Sequence, residues 1–125
     1  MIDWAKQNIF TIDGRINRLK YFQYTLLTSL AFGLLQVVLV WITSKITGTN
    51  DGVLITVVYT LSSMPMFLGN AMLTVRRCHD LNMSGGFVLL CLIPLVNLLF
   101  EIYLLLAKGT IGWNKYGPDP LMRDE

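Results

Sequence analysis

The chain is short of charge, cysteine and histidine, and each shortage excludes something. Charged residues make up 14% of its 125 positions and hydrophobic ones 54%, whereas an average soluble domain is roughly a quarter charged. Two cysteines, Cys78 in a polar loop and Cys91 in an apolar stretch, build no disulfide framework. The single histidine, His79, cannot complete a metal shell. Cys78, His79 and Asp80 are consecutive, so their side chains diverge, and no other Cys or His stands nearby, so no metal site is expected. Ser84 and His79 sit five residues apart in one loop, which is not a serine brought to a histidine from a separate element. No complete catalytic constellation remains, so the expectation is a non-enzyme without a cofactor. A net charge of +2 does not argue for nucleic acid and suits an anionic membrane surface.

What the chain has is long apolar runs. Tyr21 to Ser44 and Gly52 to Val75 are each 24 residues without a charge, and Phe87 to Ala107 is 21 residues with one, Glu101. A bilayer core about 30 Å thick needs about 20 apolar residues as a helix, so each stretch is long enough to span it. The third carries fifteen Leu, Ile, Val and Phe residues, each contributing roughly −0.3 to −0.6 kcal/mol to insertion. One carboxylate costs about +3 kcal/mol at the centre, so insertion wins. The length suits one membrane domain, residues 1–125, an all-α membrane protein with three transmembrane helices at about 21–43, 53–75 and 87–107. A polar segment, 1–20, precedes them and a tail, 108–125, comes after. Twenty mixed residues before the first span, with no small-residue cleavage site after it, read as an uncleaved signal anchor.

Within this frame Ile2, Trp4, Ile9 and Phe10 suggest a short interfacial helix ending near Asp13-Gly14. Tyr21, Phe22, Tyr24 and Trp41 occupy aromatic-belt positions. Pro65 should kink the second span, with Ser62 or Ser63 able to satisfy freed carbonyls. Pro94 and Asn97 bracket a kink in the third. Lys6, Arg15, Arg18 and Lys20, with Arg76 and Arg77, put the N-terminus and the second loop in the cytoplasm, against Lys45 alone in the first loop. If the third stretch crosses once, the basic residues divide six to four. If it turns back near Pro94-Leu95-Val96-Asn97, they divide nine to one. A hairpin would have arms of only ~10 and ~18 Å, too short to span, and its turn would need protein to cover its backbone. A single crossing is therefore expected.

Candidate sites are few. Arg15 and Arg18, at i and i+3 before the first span, could fork onto lipid phosphates or serve as positive-inside anchors. Arg76 and Arg77 can pair with Asp80 on the surface of a continuing helix, and Ser84 is placed to cap the third. His79 could carry a proton or touch a headgroup. Arg15, Arg18, Arg76, Arg77, His79 and Asp80 thus form the expected lipid- or partner-binding set. Glu101 is the intramembrane ionisable group, with Asn70 and Asn97 as possible partners across helices. Trp113 and Tyr116 could anchor the tail at the headgroups.

Three motifs then stand out together: Phe10-Thr11-Ile12-Asp13-Gly14-Arg15-Ile16-Asn17-Arg18-Leu19-Lys20-Tyr21-Phe22, Arg76-Arg77-Cys78-His79-Asp80-Leu81-Asn82-Met83-Ser84-Gly85-Gly86, and Gly109-Thr110-Ile111-Gly112-Trp113-Asn114-Lys115-Tyr116-Gly117-Pro118-Asp119-Pro120. In this order the chain resembles the bacterial membrane family called domain of unknown function 805, departing from it at Phe22 (Trp), Cys78 (Leu), Asn82 (Gly) and Gly86 (Trp). The resemblance implies a protein of the bacterial inner membrane and brings no established activity. The expected function is a membrane-embedded interaction or regulatory module with a basic cytoplasmic face. Its partners would be the bilayer, anionic phospholipid headgroups, and further copies or a larger membrane complex. The alternative is an oligomeric channel or transporter subunit using Glu101.

Overall fold

A computed structural model describes residues 3, 9–48 and 52–122. Most of the expected interfacial helix and of the first loop lies outside the described residues. From Ile9 to Asn17 the described chain is not helical.

Helix α1, Arg18–Thr47, starts where the Asn17 side chain accepts a hydrogen bond from Lys20 N at 2.9 Å, and ends at Gly48 with φ 64°. These are an N-cap and a left-handed stop, each suited to its residue. Helix α2, Gly52–Asp80, runs unbroken through Pro65. The Ser62 and Ser63 hydroxyls bond Val58 O and Thr60 O, not the Leu61 carbonyl that Pro65 deprives of its donor. Both helices are long and apolar enough to cross a membrane. Thr28 meets Asn70 at 2.9 Å and Gln36 meets Ser62 at 2.9 Å, so α1 and α2 pair antiparallel. These are interhelical polar bonds inside apolar segments.

The third stretch departs from the single crossing expected from the sequence. Ser84 does act as a cap, accepting from Gly86 N at 3.3 Å, but the element it opens is a 3-10 helix over Gly85–Leu92. The chain turns at Pro94-Leu95, and helix α3, Val96–Leu106, has 11 residues, about 17 Å. Thr110 N donates to Asp80 O at 2.7 Å, so the stretch returns to the end of α2 that it left. The turn meets the backbone objection by bonding locally. Ile93 N donates to Leu90 O at 3.2 Å, and Asn97 N to Ile93 O at 2.7 Å and Pro94 O at 3.0 Å. A crossing and a hairpin contain the same residues; the difference lies in Pro94, which cannot continue the 3-10 ladder as a donor.

The buried apolar residues Ile16, Tyr21, Leu73, Cys78, Phe100 and Leu104 gather towards the end where the three motifs meet. Leu34, Trp41, Ile46, Val53 and Leu61, towards the other end, are exposed.

Candidate functional site

Asp80, the last residue of α2, is the point where the three motifs join. Its carboxylate receives Arg15 Nε at 3.1 Å on one oxygen and Arg77 Nη1 on the other. The side chains of Arg15, Arg77 and Asp80 are 1%, 0% and 2% exposed. Arg15 then spends its remaining donors on the tail: Gly112 O at 2.6 Å, Gly117 O at 3.2 Å and Thr110 O. Arg77 donates to Leu104 O at 2.8 Å and Ala107 O at 2.5 Å, capping the C-terminus of α3, where the unpaired carbonyls concentrate negative charge. The five-donor guanidinium fork makes such multiple bonding feasible; a lysine could not reproduce it.

Close approach requires Gly109, where a Cβ would collide with the Asp80 carboxylate. Gly112 and Gly117 sit at φ 73° and 128°, where glycine is favoured. Asn82, at φ 58°, occupies the left-handed position. Asparagine tolerates that conformation, which accounts for its standing where the family pattern has glycine.

The structure places the residues of the expected lipid- or partner-binding set at different depths. Arg15 and Arg77 point inward because each has an internal carboxylate and carbonyl acceptors, and the Arg77–Asp80 pair is buried instead of lying on a helix surface. Arg76 is half-buried, its carbonyl accepting from Ile16 N at 3.4 Å. His79 is half-buried too: Nδ1 lies 3.2 Å from Gly14 O, so this nitrogen carries the proton. Its ring stacks on Tyr116, centroids 3.9 Å apart and 8° from parallel, so Tyr116 supports the loop instead of reaching outward. Asn114 Nδ2 donates to His79 O at 2.9 Å. Arg18 remains exposed and, with Lys108, rims a cavity of about 140 Å³ reaching Arg77, Asp80 and Gly109. Neither Arg18 nor Lys108 forms an ion pair among the described residues. Lys108 escaped the sequence reading because only the turn back of the third stretch brings it beside Arg18.

A second polar group lies deeper. Tyr21, expected in the aromatic belt, is instead buried, and its hydroxyl donates to Glu101 Oε2 at 2.6 Å. Cys91 Sγ lies 3.8 Å from Glu101 Oε1. Asn70 and Asn97, the expected partners of Glu101, share with it a cavity of about 170 Å³ whose walls include Phe67, Ala71 and Val88. Asn70 takes its hydrogen bond from Thr28. Among the described residues no cluster of His, Cys, Asp and Glu could hold a metal ion.

Comparison with known proteins gives one consistent picture. Residues 9–118 match the family described as "Protein of unknown function (DUF805)". The chain is 30% identical over 114 residues to inner membrane protein YhaI of Escherichia coli K12, covering 91% of this chain and 89% of that protein. It is 30% identical over 125 residues to inner membrane protein YhaH of the same strain, covering 95% and 97% respectively. No solved structure matches.

Proposed function

We propose that this chain, which belongs to the DUF805 family of unknown function, is an inner-membrane binding module. Its knotted end holds the phosphate of anionic phospholipids. Both α1 and α2 cross the bilayer, and the 3-10 helix and α3 form a re-entrant hairpin that enters and leaves from the cytoplasmic side. The names of the two E. coli relatives support the membrane. Positive-inside bias supports the orientation, since nine of ten Lys and Arg residues then fall on one side. A reporter fused after Glu125 should then read the cytoplasm; a periplasmic signal would restore the single crossing.

The observation that carries the binding role is the cavity between exposed Arg18 and Lys108, floored by the Arg77–Asp80 pair. Two cations flanking a recess at the end of the spans suit an anionic headgroup. A binding role is favoured over catalysis because the Asp80 carboxylate is held by two arginines and is not free to act as a general base. The test is lipid co-purification from nanodiscs of mixed phosphatidylglycerol and phosphatidylcholine. Wild type should enrich phosphatidylglycerol. Arg18→Gln with Lys108→Gln should reduce that enrichment by up to about thirtyfold, from about 1 kcal/mol for each lost cation. Unchanged enrichment overturns the proposal.

A further inference from the structure

The deeper cavity carries an inference independent of the headgroup site. It lies between α2, the 3-10 helix and α3, holds about 170 Å³, and is lined by Phe67, Asn70, Val88, Cys91, Asn97 and Glu101. A dry engineered cavity of about 150 Å³ takes up benzene, so this one has room for a small organic molecule and is larger than a bare ion needs.

The lining narrows the chemistry. Glu101 has hydroxyl and thiol donors but no Lys, Arg or His paired with it among the described residues. An ionisable group inside an apolar segment characteristically faces a polar partner or cavity. Cys91 is a weak donor at 3.8 Å, so Oε1 keeps acceptor capacity. The Asn97 amide makes no side-chain hydrogen bond among the described residues, and its oxygen is a second acceptor on the same cavity. An anion would be repelled by Glu101. A divalent metal ion would find one carboxylate where it needs a fuller set of hard oxygen ligands. A quaternary ammonium would leave both acceptors without a donor. A primary ammonium supplies three N–H groups, and Phe67, Ala71 and Val88 would receive the short alkyl part.

We infer that the cavity between α2, the 3-10 helix and α3 binds the primary ammonium group of a small alkylamine or of an aminophospholipid, with Glu101 and Asn97 as its acceptors. The two sources share this chemistry and differ in how far the group must travel. Glu101 lies six residues, about 9 Å, inside the end of the hairpin at Ala107.

The test uses the full chain in phosphatidylcholine nanodiscs titrated with n-butylammonium chloride by calorimetry, and native mass spectrometry of nanodiscs that contain phosphatidylethanolamine. Saturable butylammonium binding is expected. Glu101→Gln, which keeps the shape and an acceptor for Tyr21, should weaken it about tenfold or more, the scale of a charged hydrogen bond. Asn97→Ala should weaken it less, and serves as the second variant if the first is not monodisperse. Phosphatidylethanolamine retention that butylammonium displaces identifies the lipid as the source; butylammonium binding without such retention identifies a free amine. No saturable binding in wild type, or equal binding in wild type and Glu101→Gln, overturns the inference. Arg18→Gln with Lys108→Gln should leave butylammonium binding unchanged, so the two proposals fail separately.

Discussion

Replacing Asp80 by asparagine should free the tail while changing almost no volume. The carboxylate is the shared acceptor of Arg15 and Arg77, and all three side chains are at most 2% exposed. Removing the charge leaves two guanidinium groups buried without their counterion, a change that costs about 3–5 kcal/mol at buried pairs. The cost falls on the closed state of the tail, because Arg15 also holds Gly112 and Gly117, and the Asp80 backbone holds Thr110. The population of chains with the tail released should therefore rise roughly 150- to 5,000-fold. Lys115 is exposed within that tail and gives trypsin a site. Where opening and closing outpace cleavage, the cutting rate follows this population. The assay is the rate of cleavage after Lys115 in detergent micelles, with Arg18→Gln as a control that touches none of these bonds. A rate for Asp80→Asn within about twofold of wild type, the range of an inconsequential surface change, would refute the reasoning. The triple variant Arg15→Met, Arg77→Met and Asp80→Leu adds a check on the cause. It removes every buried charge of the knot and should recover part of the protection. Recovery stays partial because methionine leaves the carbonyls of Leu104, Ala107 and Gly112 without donors.

Two further substitutions test the packing on either side of this knot. Gly109→Ala puts a Cβ into the Asp80 carboxylate and should cost about 1–3 kcal/mol as an overpacked site, read as a lower midpoint in denaturant titration; an unchanged midpoint would mean that the tail does not lie so close. Tyr21→Phe removes the 2.6 Å hydrogen bond to Glu101 and should cost about 1.5–3 kcal/mol in the same titration, whereas no loss would place the Glu101 carboxyl elsewhere.

Some of this was legible in the sequence and some was not, for definite physical reasons. The charge-free runs revealed α1 and α2 because length and apolarity alone make a helix a candidate to cross a bilayer. Arg77 and Asp80 were recognisable as an i, i+3 pair, and the pair forms. Its burial was not legible, because spacing along a helix says nothing about what covers the face. Arginines beside a span read equally well as anchors, and Arg15 found its partner 65 residues away. The hairpin was hidden because a crossing and a turn have the same apolar composition; Pro94 and Asn97 were the available signal. Tyr21 looked like a belt aromatic because its partner Glu101 lies 80 residues on. The glycines at 109, 112 and 117 offered the clearest unused clue, since a run of them after a helix marks backbone held close to something else.

The Arg15 clamp also sets an order of events during synthesis. Arg15 leaves the ribosome early, yet three of its acceptors, the carbonyls of Thr110, Gly112 and Gly117, lie 95 to 102 residues further along the chain. A chain whose translation stops before Thr110 lacks all three, and Asp80 O loses its Thr110 donor as well. Such a product can form α1 and α2 but leaves the groups at their shared end without these partners. The clamp therefore closes only once the chain has been made as far as Gly117, and until then Arg15 waits without these three acceptors.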